Sequence, residues 1–294
     1  WQIQKYALKS ATAIITDSEN SKKDIHRLTG TELNNIYSIP LAASSNYQKV
    51  TEKNKLESVI EKYNLPINFL LYIGDVNWNK NIPGLLRAFS IVRRYLLPRH
   101  SGKSRITGRI QNRLVRRSSS LKDEDGFWTS QNDGVKLVLV GKAFLNNNLS
   151  EAIEINKLIK SLCLENDVVK TGFVDDSDMP AIYSLAKVYV QPSFYEGFGL
   201  PVLDAMMCGC PVAGSHASSL PEVGGDAISY FDPASTDEMA KKIISILQFS
   251  NAAIINMRNK QYQRAKLFSW KKTAKETIKV YNKFLQNICC LLPA

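Results

Sequence analysis

Apolar positions along the chain fall into two kinds of pattern. Short, nearly continuous apolar runs occur at residues 11–16 (ATAIIT), 36–39, 69–73 (FLLYI), 136–140 (KLVLV), 168–171, 188–191 (VYVQ), 211–214 and 228–231. Runs of that length without strict alternation are expected of strands buried on both faces of a parallel sheet. Between them, apolar residues recur at amphipathic-helix spacing over 18–29, 52–63, 82–96, 150–162, 178–186, 200–208 and 235–247, and a last long helix is expected over 270–287. The opening Trp1-Gln2-Ile3 already reads as the inside of a helix. Strand–helix alternation of this kind predicts an α/β domain with a doubly wound parallel sheet. In such sheets ligands bind beyond the carboxyl ends of the strands, so chemistry is expected in the loops that follow them.

One segment breaks the pattern. Residues 98–134 show no periodicity and are rich in Ser, Arg, Gly, Asn and Asp, which predicts an inserted, mobile loop. Residues 90–120 hold nine cations (Arg93, Arg94, Arg99, Lys103, Arg105, Arg109, Arg113, Arg116 and Arg117) and no acid. Subtracting those nine from the net charge of +11 leaves +2 for the rest, so the basicity is local. Such a segment suits peripheral contact with an anionic membrane. Nucleic acid is not expected as a partner, because from Arg99 to Arg117 no aromatic is interleaved with the arginines.

Composition sets the remaining bounds. The chain has 294 residues, 44% hydrophobic and 22% charged, as in a soluble globular protein of one large or two ordinary domains. No apolar run reaches the ~18 residues needed to cross a bilayer, and no signal segment is evident. The five cysteines (Cys163, Cys208, Cys210, Cys289, Cys290) lack metal-ligand spacing and read as free thiols of a reducing cytosol. His26, His100 and His216 are isolated from one another, so no metal site is expected. Asp176-Ser177-Asp178 resembles a metal-binding DxD but directly precedes a predicted helix, where acids cap N–H groups; capping is the expected role.

The richest stretch is PSFYEGFGLPVLD, residues 192–204. It follows the run VYVQ and enters a helix near Leu200, with Pro201 suited to the first turn. Gly197 and Gly199 leave the backbone bare, so a ligand can approach the N–H groups at the helix start, and a phosphate fits there. Glu196 stands before the turn and Asp204 about one turn into the helix. Two carboxylates flanking a phosphate site suit a sugar nucleotide, which carries hydroxyls on both sides of its diphosphate. On spacing alone, a glycine-entry helix with ordinary surface acids remains open.

The stretch PSFYEGFGLPVLDAMMCGCPV followed by SSLPEVGGDA resembles the donor-site signature of the family 4 retaining glycosyltransferases of the GT-B type. The resemblance continues through LYIGDVNWNKNIPGLLRAF, LVLVGK, TGFV and the closing FSWKKTAKETIKVY, so it spans nearly the whole chain apart from the basic segment. It implies a Rossmann-like donor domain over residues 43–269, preceded by a remnant of the acceptor-binding domain over 1–42. A helix and tail over 270–294 would cross back to the first domain, leaving its apolar stripe (Ala274, Ile278, Tyr281, Leu285) partly exposed. Most of the first domain would then be absent, and the chain would be the donor half of an enzyme.

The resemblance also implies roles. Glu196 would contact the transferred sugar and Asp204 the ribose hydroxyls, although the family's second acid is a glutamate, one methylene longer. Lys80 would face the diphosphate as a second catalytic residue with Glu196. Members of the family often carry an arginine where this chain has Asp75, so Lys80 would bear more of the charge. Gly74, Gly141 and Lys142 at strand ends, Phe173 beside the nucleobase, and Gly197, Phe198, Gly199 and Leu200 in the turn would complete the donor site. For these residues plainer roles stay open: a solvated lysine at 80, core filling at 173, strand-end turns at 74 and 141.

No cofactor is implied. The donor would be GDP-mannose or alternatively a UDP-sugar, and the acceptor a glycan or lipid-linked glycan at the cytoplasmic face of a membrane. Transfer would retain configuration and need no metal. A sugar-nucleotide epimerase and a non-catalytic nucleotide-sugar subunit are the rival readings.

Overall fold

The computed structural model describes residues 2–96 and 134–289. The basic segment expected over 98–134 lies outside these residues except for Gly134. Helix α1 (Gln2–Ser10) leads into a small unit in which β1 (Ile14–Thr16) pairs parallel with β2 (Ile36–Ser38) across α2 (Glu19–Thr29). The N-cap of α2 is Ser18, whose hydroxyl accepts the Ser21 N–H at 3.0 Å, and the helix ends at Gly30 in the left-handed region (φ 75°).

A second, larger unit alternates strand and helix as the apolar pattern demands. In chain order it contains α3 (Lys53–Tyr63), β3 (Phe69–Ile73), α4 (Ile82–Leu96), β4 (Lys136–Val140), α5 (Ser150–Ser161) and β5 (Val168–Gly172). Then follow α6 (Met179–Leu185), β6 (Val188–Gln191), α7 (Leu200–Met207), β7 (Val212–Ser215), α8 (Leu220–Gly224) and β8 (Ser229–Phe231). Helices α9 (Thr236–Leu247), α10 (Asn251–Ala265) and α11 (Trp270–Cys289) close the chain. The six strands β3–β8 form one sheet in the order β5-β4-β3-β6-β7-β8, and every neighbouring pair is parallel. Counted from β3, this is the 3-2-1-4-5-6 order of a doubly wound Rossmann-like domain.

Burial on both faces explains why the strands read as unbroken apolar runs. In β3, Phe69 and Leu71 join a core with α3, α6 and α7, while Leu70 and Tyr72 join the opposite core with α4, α5 and α9. In β4, Val138 and Val140 face the first core, and Leu137 and Leu139 the second. Each such side chain contributes ~1.5–3 kcal/mol by leaving water.

Helix α10 has no counterpart in the sequence prediction. Its sequence, NAAIINMRNKQYQRA, is polar on most sides, and its buried residues are only Met257, Gln261 and Ala265, four apart. The stripe is too narrow to register as amphipathic. Gln261, fully buried, anchors it by donating to the Cys210 carbonyl (3.1 Å) and accepting from the Val212 N–H (2.9 Å).

Helix α11 returns to the small unit. Lys283 Nζ donates to the Tyr37 hydroxyl (2.8 Å), the Tyr37 and Phe284 rings meet edge-on at 6.2 Å, and Thr273 Oγ1 donates to the Pro40 carbonyl (2.7 Å). Val280 is buried there, whereas Ala274, Ile278, Tyr281 and Leu285 are exposed. The stripe thus lies open to solvent in this structure.

Asp178 departs from its expected role. It occupies the N-cap position of α6, yet its side chain makes no capping bond. The buried carboxylate instead accepts from Lys55 Nζ, from Lys62 Nζ (2.7 Å) and from the Tyr63 hydroxyl (2.9 Å), tying α3 to α6. Burial by itself would raise its pKa, but these three donors outweigh it and draw the carboxyl down to about 2.

Because the folded pKa lies below the unfolded value, the clamp stabilises the fold fully above pH ~4 and is lost as pH falls towards 2. Asp178→Asn is expected to lower stability at pH 7 by roughly 1–2 kcal/mol, screening at the half-exposed lysines included. Urea unfolding should show the gap to wild type narrowing between pH 5 and pH 2. A gap independent of pH would refute the assignment.

Candidate functional site

The strand order reverses between β3 and β6, so the loops leaving these two strands diverge and open a crevice at their carboxyl ends. The β3 loop carries Gly74 and Lys80, and the β6 loop carries Glu196, Gly197 and Gly199. Two backbone contacts join them: the Phe194 N–H donates to the Asn79 carbonyl (2.8 Å) and Asn79 Nδ2 to the Tyr195 carbonyl (3.2 Å). Asn81, buried and left-handed (φ 51°), adds a third by donating Nδ2 to the carbonyls of Pro192 (3.1 Å) and Pro233 (2.8 Å). Asn81 pins the end of the single helical turn that carries Lys80, a role with no local signature in the chain.

Lys80 and Glu196, expected in the same site, meet. Lys80 Nζ lies 2.9 Å from both carboxylate oxygens of Glu196, which is only 9% exposed. Oε1 also accepts from Gln191 Nε2 (2.6 Å) and Ser193 Oγ (2.6 Å), while among the described residues Oε2 accepts from Lys80 alone. The Tyr189 hydroxyl donates to Gln191 Oε1 and so fixes which way that amide faces. Asp75 bends back on its own loop, accepting from the Val76 N–H at 2.8 Å.

The turn after Glu196 is held by four serines. The Glu196 carbonyl accepts from Ser218 and from Ser219 (2.9 Å), the Gly197 carbonyl from Ser18 (2.7 Å) and Ser21 (3.2 Å), and the Phe198 carbonyl from Ser219 (2.9 Å). The N–H groups of Gly197, Phe198 and Gly199, and that of Leu200 at the first position of α7, have no partner among the described residues. Within a planar trans peptide the C=O and N–H point in opposite directions. Serines that fix the carbonyls therefore also fix where the N–H groups aim. Gly199 is required here: its φ is 110°, and a Cβ would lie 2.7 Å from Leu220 Cδ2. The Phe198 ring packs into the core against Phe268 (5.8 Å), so this residue offers the crevice its N–H rather than its ring.

The other expected residues line the neighbouring strand ends. Gly74 and Gly141 abut so closely that a Cβ on Gly141 would lie 2.2 Å from the Gly74 carbonyl oxygen. Lys142 opens the turn after β4 and holds its ammonium 4.3 Å above the Phe173 ring. Phe173 is 57% exposed, which removes the core-filling alternative.

Asp204, on α7, is set apart from Glu196 by its surroundings. Its carboxyl accepts no hydrogen bond among the described residues, and burial pushes it up to about 7. Tyr47, in the connection between the two units, shares this environment: burial, then the charges of Asp204 and Asp176, raise its hydroxyl to about 12. No cluster of three or more His, Cys, Asp or Glu side chains suited to a metal ion occurs among the described residues. Nor does any described helix have the length and apolarity to cross a membrane.

The chain is similar to known proteins over most of its length. Residues 57–268 match the family described as "Glycosyl transferases group 1". The O-antigen chain mannosyltransferase B of Escherichia coli is 33% identical over 276 residues, 94% of this chain and 61% of that protein. The chain thus spans less than two thirds of that relative's length. Among solved structures, a sucrose-phosphate synthase from Thermosynechococcus elongatus superposes with a TM-score of 0.71 at 21% identity, covering 97% of this chain and 61% of its own. The Anabaena protein HepE, solved with UDP-glucose, gives 0.73 at 16% identity, covering 96% and 67%. At those identities the likeness shows a shared fold.

Since the Asp204 carboxyl is raised in the folded state, that state binds more protons than the unfolded chain between pH ~4 and 7, and stability falls as pH rises through this window. Asp204→Asn removes the buried charge. It is expected to stabilise the protein at pH 8 by on the order of 2 kcal/mol, solvent access to the carboxylate discounted, and to change little at pH 4. Thermal unfolding at the two pH values checks it, and equal midpoints at pH 8 would contradict the environment described.

Proposed function

Because this chain belongs to the Glycosyl transferases group 1 family, we propose that it carries the donor site of a retaining glycosyltransferase that moves a hexose, mannose, from GDP-mannose to a glycan or lipid-linked acceptor without a metal ion. The observation that carries the reading is the pairing of Lys80 with Glu196 beside four unpartnered N–H groups at the strand-order reversal. The similarity to the Escherichia coli mannosyltransferase supports mannose as the sugar.

The residues divide the work by their chemistry. The N–H groups of residues 197–200 and the α7 dipole form an anion site for the donor's diphosphate. The Lys80 ammonium supplies the positive charge that a departing diphosphate requires. Glu196 Oε1 is filled by three donors, whereas Oε2 keeps acceptor capacity for a sugar hydroxyl. Asp204, with no partner of its own, is free to accept from the ribose. Lys142 and Phe173 border the base at the end of β4 and β5.

Titrating the chain with GDP- and UDP-sugars, the free nucleoside diphosphates and the nucleosides tests this directly. Glu196→Ala is expected to weaken the sugar nucleotide by ~1.5–3 kcal/mol, the worth of a charged hydrogen-bond acceptor. Free diphosphate should bind at least as well as before, because Lys80 loses its competing carboxylate. Equal weakening of both ligands would refute the role of Glu196.

Lys80→Ala has the opposite signature. Diphosphate affinity should fall by about tenfold or more, while nucleoside affinity stays unchanged. If diphosphate binding survives intact, another cation neutralises it.

A further inference from the structure

Two of the four serines that hold the turn come from the small unit, and one acid links that unit to the crevice. Glu222, on the short helix α8, accepts from the N–H groups of Glu19 (2.8 Å) and Asn20 (2.7 Å), the first two residues of α2. Those N–H groups have no partner within their own helix, so a carboxylate there also meets the favourable end of the α2 dipole. The Ser18 and Ser21 hydroxyls that reach the Gly197 carbonyl flank the same two residues. Asp24, one turn further along α2, accepts from the Tyr195 hydroxyl (2.9 Å), a second tie to the same loop. Glu222 itself is held from behind, since Arg264 donates to its carbonyl and to that of Val223 (3.0 Å).

From this linkage we propose that Glu222 is a positioning residue of the donor site. By capping α2 it seats Ser18 and Ser21 on the Gly197 carbonyl, and so sets the orientation of the Gly197–Phe198 peptide whose N–H is offered to the donor phosphate. The inference rests on the donor-site reading above. It adds that the phosphate-binding turn takes its geometry from both units: Ser218 and Ser219 hold it from the α8 side and Ser18 and Ser21 from the α2 side, with Glu222 joining the two. Without the second pair the Gly197 carbonyl loses its donors, and the peptide is free to rotate its N–H off the ligand.

The test uses the full chain and the variants Glu222→Ala, Glu222→Gln and Ser21→Ala, titrated with GDP and UDP and, in parallel, with guanosine and uridine. Glu222→Ala is expected to lose about tenfold in affinity for whichever diphosphate the wild type prefers, with the corresponding nucleoside unchanged. Glu222→Gln, which keeps one acceptor oxygen, should recover part of that loss. Ser21→Ala, which leaves the α2 cap intact and removes one donor to Gly197, should lose about threefold on the diphosphate alone. Each variant is first shown to unfold cooperatively, and Ser21→Ala keeps the inference testable if Glu222→Ala does not fold. Wild-type diphosphate affinity in all variants, or equal loss for diphosphate and nucleoside, would overturn the role of Glu222. A wild type that binds neither diphosphate would overturn the donor reading beneath it.

Discussion

A carboxylate that is nine-tenths buried has to be surrounded by donors, because its ionised form is otherwise too costly to keep out of water. Glu196 meets that demand through Lys80, Gln191 and Ser193, and much of the crevice is arranged around the result. Gln191 is the last residue of β6 and is itself oriented by Tyr189 two residues earlier. Lys80 comes from the other loop, on a turn that Asn81 fastens to the loops after β6 and β8. The ion pair therefore ties the two sides of the strand-order reversal together where the fold would otherwise leave an open seam. It also places a positive charge beside bare backbone N–H groups, an arrangement that helix dipole and glycine turn alone do not supply.

Three acids of this domain show how far surroundings decide what a carboxyl group is for. Asp178 is buried with three donors and works as a clamp between α3 and α6. Glu196 is buried with three donors on one oxygen and one on the other among the described residues, so its acceptor capacity is not saturated. Asp204 is half-buried, its carboxyl has no donor among the described residues, and burial pushes it up to about 7. A spacing rule that treats Glu196 and Asp204 as an equivalent pair does not capture this asymmetry.

Most of the fold was legible because burial on both faces of a parallel sheet leaves a plain mark, the nearly unbroken apolar run, as in FLLYI of β3, KLVLV of β4 and VYVQ of β6. Helix α10 escaped because a stripe of one residue per turn is drowned by its polar neighbours. In the site, Glu196, Gly197 and Gly199 were legible as an acid and a glycine turn entering a helix, and Lys80 only through the family resemblance. Asn81, Tyr47, Ser18, Ser21 and Glu222 were not, since an asparagine, a tyrosine, two serines and a glutamate carry no signal until the chain's folding sets them against a particular carbonyl or helix end. Asp178 was placed correctly before its helix, but its partners lie 115 to 123 residues away in sequence, beyond the reach of a local capping rule.

The contact of α11 with the small unit bears on the order in which the molecule can assemble. Lys283 and Tyr37 are 246 residues apart, and the whole six-stranded sheet lies in the loop between them. Closing a loop of that length in an unfolded chain forfeits a large conformational entropy for one hydrogen bond and one aromatic contact. Once the sheet and its helices have condensed, the same ends are carried by a compact body and the remaining entropy loss is small. The small unit is therefore a dependent of the large one: its two strands and α2 gain their covering helix only after the larger unit has brought the distant ends of the chain within reach of each other.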